Sequence, residues 1–517
     1  MSRRWVGRLL RTVGALVVVT ATAAVVVAGT RLEPVPTPTV TPGAVDVPPA
    51  PATAVCPGPL VQAQATGKGS FSSMPVPPVT HVALLAVPPD GSTLSGTLRS
   101  LDGATTYGTL TTANGAASLK DPPGPLVARA SASAGTARLA AVSSSVVTDG
   151  DLRGLAAATC EAPTSDAWLV GGSTAVGSSA DLVIVNPGST TAAVTVEVWG
   201  PNGKVVVPTP MQLVAPHATK TLSLGGAAPD QRALAVHIST AGGQVSAWIQ
   251  DSALRGYTPA GLELVVPGAA PAERLAIPGV RLDDSAADSP DAPVLRLFAP
   301  GAAGATATIT LLGSNGPVDV PGSGTVTLAG GQVTEVPLGG LPADAYTVVV
   351  DAPSPVIAAM EYSRVGKPGD LDPAPRVERA WAAATSMGGG LAVPAPGTDT
   401  TLVVGAVAAG DQATATGSLT GTLRVLGAGG TVLTEKNVAI DAGSTGSWPL
   451  SDLTPDPTQV TGIELLAGDA QVNASWALVA EQTQDDGVLA SVLLPAPVLT
   501  EPASVVVRRD PTLGVGR

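Results

Sequence analysis

An internal repeat of about 113 residues constrains the fold of this chain more than any other feature. Each repeat contains a run of alternating apolar and polar residues that ends at a turn glycine: Gly91, Gly203, Gly316 or Gly430. The spacings between these glycines are 112, 113 and 114 residues. Other segments keep the same order and period, so the chain contains four related units. The first unit matches the others least well.

Each unit has the pattern of an all-β domain. Short alternating segments are separated by Gly, Pro, Asn and Asp, and no segment has a helical period of convincing length. Seven or eight short strands in about 110 residues are typical of an immunoglobulin-like β-sandwich. We therefore predict about four tandem sandwiches. A β-propeller is the alternative, because residues 504–509 stand where a further unit would begin and could meet the first strand.

The predicted organisation has seven parts. They are a basic cytoplasmic tip (1–11), a transmembrane anchor or signal peptide (12–30), a Pro/Thr-rich stalk (31–55), and β units one to four (56–167, 168–274, 275–390 and 391–517), the last with a C-terminal strand. The stalk should be extended in a polyproline-like conformation, because its prolines prevent it from joining a core.

The amino-terminal segment predicts export. Residues 12–30 carry no charge, follow four arginines and are closed by Arg31. As a helix they span about 28 Å, close to the ~30 Å hydrocarbon core of a bilayer. By the positive-inside rule the amino terminus stays in the cytoplasm and the bulk of the chain is extracellular. The alternative is cleavage as a signal peptide, which would give a secreted protein.

The composition excludes several classes of protein. Of the 517 residues, 44% are hydrophobic and only 13% charged, against a typical ~25%. Residues 1–31 hold five Arg and no acid, so the remaining 22 basic and 40 acidic residues give the exported part a net charge of −18. Nucleic acid and anionic lipid headgroups repel such a body. We therefore expect no nucleic-acid partner.

The two cysteines, Cys56 and Cys160, lie at opposite ends of the first unit. In an oxidising exterior this arrangement predicts a disulfide that closes a loop of 104 residues. Two buried free thiols are the alternative. With no nearby His and no Cys-x-x-Cys, the pair forms neither a zinc site nor a thioredoxin-like centre.

No catalytic constellation is recognisable in the sequence. The chain has three histidines and no Gly-x-Ser-x-Gly, His-Glu-x-x-His or phosphate-binding loop. Four aspartates crowd one loop of the third unit and are weak calcium candidates, because they lack the Asp-x-Asp-x-Asp-Gly spacing: Asp283, Asp284, Asp288 and Asp291. We therefore expect no enzyme, no cofactor and no resident metal.

The aromatic residues are few and mostly fall within predicted strands. Trp248 and Trp476 occupy nearly equivalent places in their repeats, which predicts core positions for both. Tyr107, Tyr257 and Tyr362 remain as candidate surface aromatics for sugar stacking.

The repeat resembles a known family. The resemblance is carried by a Trp or Leu-Ala opening at Trp168 and Leu275, an Asn-Pro-Gly strand at 186–188, and a closing strand at 355–362. These features are similar to those of an actinobacterial family of exported, membrane-anchored proteins catalogued as a domain of unknown function. The resemblance covers nearly everything after residue 55 and implies an envelope location. It supplies no catalytic residues, and the fourth unit lacks the Asn-Pro pair.

The sequence therefore predicts a non-catalytic cell-envelope ectodomain that contacts envelope proteins or cell-wall polymer. A carbohydrate-binding or glycan-processing ectodomain is the alternative. An exposed aromatic pair on one sandwich face, or two carboxylates about 5 to 10 Å apart in a cleft, would favour that alternative.

Overall fold

The prediction of an all-β protein is confirmed. A computed structural model describes residues 3–30, 43–46, 49–60, 75–320, 322, 324–369, 373–410, 412, 414–467, 471–497 and 504–507. The chain divides into two compact bodies, of which the smaller comprises Met1–Pro48 with Pro502–Arg517 and the larger comprises Pro49–Glu501.

The smaller body is built from both ends of the chain. It contains helix α1 (Arg3–Thr30) and strand β1 (Gly43–Asp46), which pairs antiparallel with the last strand, β36 (Ser504–Val507). Within the described residues, no helix combines the length and the apolar character that crossing a membrane requires.

The first sandwich has eight strands: β2 (Ala52–Cys56), β3 (Val79–Val87), β4 (Leu94–Ser100), β5 (Thr106–Thr111), β6 (Ala116–Lys120), β7 (Leu126–Ala132), β8 (Arg138–Val147) and β9 (Gly154–Thr159). They form two sheets, of order β2-β7-β4-β5 and β6-β3-β8-β9. The predicted disulfide between Cys56 and Cys160 is confirmed, and it links the end of β2 to the residue that follows β9. It therefore ties together one edge of each sheet.

The second sandwich contains β10 (Asp166–Val170), β11 (Ser178–Asn186), β12 (Ala192–Gly200), β13 (Gly203–Val205), β14 (Met211–Val214), β15 (Ala218–Ser223), α2 (Leu224–Ala227), β16 (Ala235–Ala241), β17 (Ser246–Arg255) and β18 (Thr258–Val265). One sheet has the order β10-β16-β12 with β13 and β14 both paired to β12, and the other is β15-β11-β17-β18. The buried Asn186 side chain holds the turn after β11, because it donates to Thr190 O and Val214 O and accepts from Gly188 N.

The third sandwich contains β19 (Ala272–Leu282), β20 (Val294–Phe298), β21 (Ala305–Gly313), β22 (Gly316–Val318), β23 (Thr325–Leu328), β24 (Val333–Pro337), β25 (Asp344–Pro368) and β26 (Pro375–Ala383). The long strand β25 takes part in both layers. Its first half pairs with β19 and β21, and its second half pairs with β20 and β26.

The fourth sandwich contains β27 (Gly390–Ala392), β28 (Asp399–Ala408), β29 (Ser418–Leu426), β30 (Val432–Asp441), β31 (Thr445–Pro449), α3 (Leu450–Leu453), β32 (Gly462–Ala467), β33 (Val472–Gln484), β34 (Gly487–Leu493) and β35 (Ala496–Pro497). Its sheets have the orders β30-β29-β32-β27-β35 and β31-β28-β33-β34.

Period-two alternation explains why these segments pair as two-layer sandwiches. Successive positions of β12 alternate between buried and half-buried, because neighbouring side chains of a strand point to opposite faces of its sheet. Val194 and Val196 from one sheet share a core with Leu182 and Ile184 from the other. The alternative of a β-propeller is wrong, since the sheets pair face to face around such cores.

The four sandwiches pack against one another through edge strands of their sheets. Strands β9, β18, β26 and β34 contact each other in the cycle β9–β18–β26–β34–β9. Each is the edge strand of its own sheet. We call these four strands the four-strand junction. It covers edges that would otherwise expose unpaired backbone groups.

Two predicted segments are placed differently by the structure. Part of the predicted stalk is folded, because β2 pairs with β7 in the first sandwich and β1 pairs with β36. The run from Ala52 to Cys56 contains no proline, so every N–H is available for the ladder. The C-terminal strand, predicted to complete the fourth sandwich, pairs with β1 instead. The stalk residues 31–42 and 47–48 lie outside the described residues.

Candidate functional site

Close backbone approach defines the four-strand junction. A Cβ added at Gly154 would lie 2.7 Å from Leu262 Cβ, and one added at Gly261 would lie 2.8 Å from Arg379 Cγ. Gly261 also has φ of +109°, a conformation that other residues avoid. Strand β18 therefore packs against β9 and β26 at separations that only glycine permits.

Two buried glutamates from neighbouring sandwiches complete the hydrogen bonding of β9. Leu155 N donates to Glu378 Oε1, and Ala157 N donates to Glu263 Oε1, each at 3.1 Å. Because β9 is an edge strand, alternate N–H groups point away from its sheet. The Ser491 hydroxyl of β34 donates to Ala157 O at 3.0 Å. Side chains from three other sandwiches thus satisfy the free edge of the first.

Burial raises the pKa of both glutamates. Glu263 and Glu378 are each 1% exposed. Desolvation raises the pKa of Glu378 to about 8, and it raises the pKa of Glu263 well above its ordinary value. In both, Oε2 has no hydrogen-bond partner among the described residues. The dry surroundings therefore favour the neutral carboxylic acid at both positions.

A shared ion pair joins three sandwiches beside the junction. Arg153, which is 2% exposed, donates from Nε to Asp486 Oδ2 at 2.8 Å and from Nη2 to Oδ1 at 2.5 Å. Arg376 of the third sandwich also donates to Asp486. Burial raises the pKa of Asp486, but the hydrogen bonds and charges of the two arginines together lower it by more. The pKa of Asp486 therefore lies below its ordinary value. This carboxylate is therefore held in its charged form.

A second buried network joins sandwiches two and three. Arg379 donates from Nη2 to Asp251 Oδ2 at 2.7 Å and from Nη1 to Glu361 Oε1 at 3.5 Å. Arg296 lies 3.6 Å from Glu361 Oε2, and its guanidinium carbon sits 4.6 Å from the ring centre of Trp381. These contacts are too deeply enclosed to meet a substrate, and they hold the two sandwiches in one orientation.

A cleft between sandwiches one and four has a volume of about 990 Å³. We call it the one–four cleft. Its walls come from β3 and β6 and from segments 393–401, 449–451 and 457–461, which are rich in Pro, Ala, Ser and Thr. Arg281 and Glu481 form an ion pair at its lining, and Thr400 Oγ1 has no hydrogen-bond partner within the described chain. The lining can therefore offer both apolar contact and hydrogen bonds.

Two carboxylates of the one–four cleft lie opposite each other on adjacent strands. Asp399 of β28 and Glu481 of β33 are partners in the antiparallel register, and both line the cleft. Glu481 accepts from Arg364 at 2.8 Å and also contacts Arg281. Two arginines therefore hold one member of the pair, whereas Asp399 is exposed.

Three aromatic rings cluster on the outer face of the second sandwich. Trp168 stacks on His237 at 4.2 Å between ring centres and lies 5.5 Å from Trp199. Phe298 of the third sandwich packs against both tryptophans. Since protein groups cover these ring faces, the cluster seals the boundary between sandwiches two and three and offers little surface for stacking a sugar.

The other aromatic predictions have mixed outcomes. Trp248 and Trp476 lie in the core, as predicted. Of the candidate surface aromatics, Tyr257 is 93% exposed, Tyr107 is half-buried and Tyr362 is buried. A single exposed ring does not form a stacking platform of two rings.

The four calcium candidates enter separate contacts. Asp283 and Asp291 each contact an arginine, Asp284 accepts a hydrogen bond from a backbone N–H, and Asp288 is exposed. Among the residues that the structure describes, no group of three or more His, Cys, Asp or Glu could hold a metal ion. The loop therefore gives no geometric support for a calcium site.

Sequence reasoning missed the glutamates of the junction. Glu263 stands between two leucines, and Glu378 lies in β26, where most side chains are buried. An isolated charge in an otherwise apolar strand was the available signal, because a buried charge is costly unless another group compensates it.

The fold and its buried charge networks define an all-β protein of four joined sandwiches. The chain belongs to a family of unknown function, DUF5719, whose profile matches residues 111–450. No curated protein matches the sequence. Among solved structures, the chain is similar to a biofilm-associated protein, BSP domain, at 11% identity and a TM-score of 0.12, over 91% of this chain and 100% of that one. A similarity of that size supports no conclusion about function.

Proposed function

We propose that this chain is a non-catalytic cell-envelope ectodomain whose joined sandwiches form a rigid scaffold for contacts with envelope proteins or cell-wall polymer. The observation that carries the proposal is the location of the buried charges. Glu263, Glu378, Arg379 and Arg153 are enclosed where sandwiches meet. Catalysis requires titratable groups that reach an accessible cleft, whereas these enclosed groups have no access to a substrate and lie in the contacts between sandwiches.

The one–four cleft is the proposed contact surface. Its prolines include Pro394, Pro396 and Pro449, which restrict the backbone of its walls. Hydroxyl groups line the same walls, so an extended polymer would find hydrogen-bond partners on a surface that changes little on binding.

Arginine substitutions in the cleft test this proposal. Ser118 and Ser451 are exposed residues of the cleft lining, and Ser165 is an exposed serine outside it. The full chain would be immobilised and exposed to solubilised envelope proteins and, separately, to purified cell-wall polymer. We expect Ser118→Arg and Ser451→Arg to reduce capture at least tenfold, while Ser165→Arg leaves it unchanged. Equal capture by all three variants would refute the cleft as the contact surface.

A glycan-processing ectodomain is the second candidate, because Asp399 and Glu481 face each other in the one–four cleft. Glycosidases use two carboxyl groups about 5 to 10 Å apart. Arg364 and Arg281 already contact the Glu481 carboxylate, which leaves it less free to reach a substrate. Release of reducing sugar from cell-wall polysaccharide by the wild type, but not by Asp399→Asn, would favour this candidate over the scaffold.

We also propose that residues 12–30 anchor the protein in the cell membrane with the amino terminus in the cytoplasm. The support comes from the sequence: an uncharged segment follows four arginines, and the resemblance to an actinobacterial family implies export. Extraction of membranes at high pH should leave the full-length protein in the pellet. A soluble product that lacks the first 30 or so residues by mass spectrometry would support signal cleavage instead.

A further inference from the structure

The free edge of β9 depends on two carboxyl groups that belong to other sandwiches. Glu263 comes from β18 of the second sandwich and Glu378 from β26 of the third. Each accepts one N–H of β9 at 3.1 Å, and each leaves its second oxygen without a partner. The contact of the first sandwich with the second and third therefore includes these two side chains.

The arginines nearest Glu378 are paired with other carboxylates, and they lower the pKa of Glu378 less than burial raises it. The charged or titratable groups facing them are Arg153 and Asp486 from the segments before β9 and β34, Arg379 from β26, and Tyr362 from β25. Arg153 is bonded to Asp486, and Arg379 is bonded to Asp251 and Glu361. Within the described residues, neither glutamate forms an ion pair.

We propose that closure of the four-strand junction is coupled to proton binding by Glu263 and Glu378. With both carboxyls neutral, they accept the N–H groups of β9 and the junction is closed. Ionisation places two negative charges in a contact closed to solvent, where neither carboxyl has an ion-pair partner among the described residues and the two charges repel each other. Water enters most readily when β9 separates from β18 and β26. The proposal concerns the fold and does not depend on which partner the protein binds.

The direction of the pH dependence follows from linkage. In an opened junction each carboxyl titrates near its ordinary value of 4.5, whereas in the closed junction the pKa of Glu378 is about 8. Between these values opening releases a proton from Glu378, so the opening equilibrium constant rises about tenfold per pH unit, and Glu263 adds to this rise in the same direction. Closure is tightest at acid pH and weakens as the pH rises toward 8.

Hydrogen exchange of the full chain between pH 5 and 9 tests the proposal. The amides of Leu155 and Ala157 report the junction directly, and the amide of Val196, which donates to Pro210 O, reports a site outside it. After correction for intrinsic exchange rates, we expect protection at Leu155 and Ala157 to fall at least tenfold per pH unit up to about pH 8. Protection at Val196 should fall less steeply.

Glutamine variants provide the decisive comparison, because glutamine keeps the acceptor and stays uncharged. In Glu263→Gln/Glu378→Gln, protection of the β9 amides should become independent of pH. The matched control is Glu273→Gln at an exposed glutamate, which should retain the wild-type slope. If the double variant does not fold, Glu378→Gln alone is the test. In it, the fall in protection of the β9 amides with pH should lose one factor of about ten per pH unit relative to the wild type. A wild-type protein without a slope, or a variant with an unchanged slope, would overturn the proposal.

Discussion

Replacement of Arg153 by leucine should weaken the junction between sandwiches one and four. Arg153 is nearly fully buried and makes two hydrogen bonds to Asp486, at 2.8 and 2.5 Å. Removal of one partner of a buried ion pair typically costs 3–5 kcal/mol. Asp486 is 21% exposed and would keep Arg376 as a partner, so we expect the lower end, about 3 kcal/mol.

Urea unfolding at pH 7 measures this loss. The wild type, Arg153→Leu, Asp486→Ala and the double variant form a cycle that isolates the interaction between the two side chains. Because the pair is charged, doubly bonded and mostly buried, we expect a coupling free energy of about 2 kcal/mol. Arg129→Leu, at an exposed arginine of the first sandwich, serves as the control and should change stability by less than about 0.5 kcal/mol.

The outcome that refutes the reasoning is a coupling free energy below about 0.5 kcal/mol. The Arg153–Asp486 contact would then contribute no more than an exposed ion pair. Loss of stability in Arg153→Leu without coupling would indicate that packing of the arginine stem, and not its charge, holds the two sandwiches together.

Three further predictions concern stability. Reduction of the Cys56–Cys160 disulfide should lower the free energy of unfolding by about 4–5 kcal/mol, given the separation of 104 residues; equal urea midpoints with and without reductant would contradict this. Glu378→Gln should have the same free energy of unfolding as the wild type at pH 4 and a larger one at pH 8, by up to about 5 kcal/mol. Burial raises the pKa of Glu378 from 4.5 to about 8, so the wild type loses stability as the pH rises between these values. Equal melting temperatures of the wild type and Glu378→Gln at pH 8 would disprove this prediction. Gly261→Ala should lower the melting temperature, since its Cβ has no space, whereas Gly124→Ala, with open space, should leave it within a degree or two.

Much of the strand content could be predicted from local pattern. Alternation along residues such as 192–200 specifies which side chains face the core, and the turn glycines mark where strands reverse. The Cys56–Cys160 disulfide could be predicted as well, because a chain with two cysteines has one possible intramolecular pairing.

The candidate sites were much less accessible from sequence. The one–four cleft is lined by segments more than 270 residues apart, such as Ser118 and Gly397, and no local pattern brings them together. Glu263 and Glu378 look like ordinary strand residues until the free edge of β9 shows why an acceptor is needed there. A charge in an apolar strand signals a special role without identifying its partner.

By itself the sequence determined an all-β chain of repeated units and a disulfide in the first unit, because strand alternation is a local pattern and two cysteines allow one intramolecular pairing. Only the tertiary structure decided that β9, β18, β26 and β34 meet in one junction and that β36 pairs with β1. Alternation specifies the two faces of a strand, but its edges carry the same backbone N–H and C=O groups whatever the sequence. Which edge meets which is therefore settled by packing between distant parts of the chain.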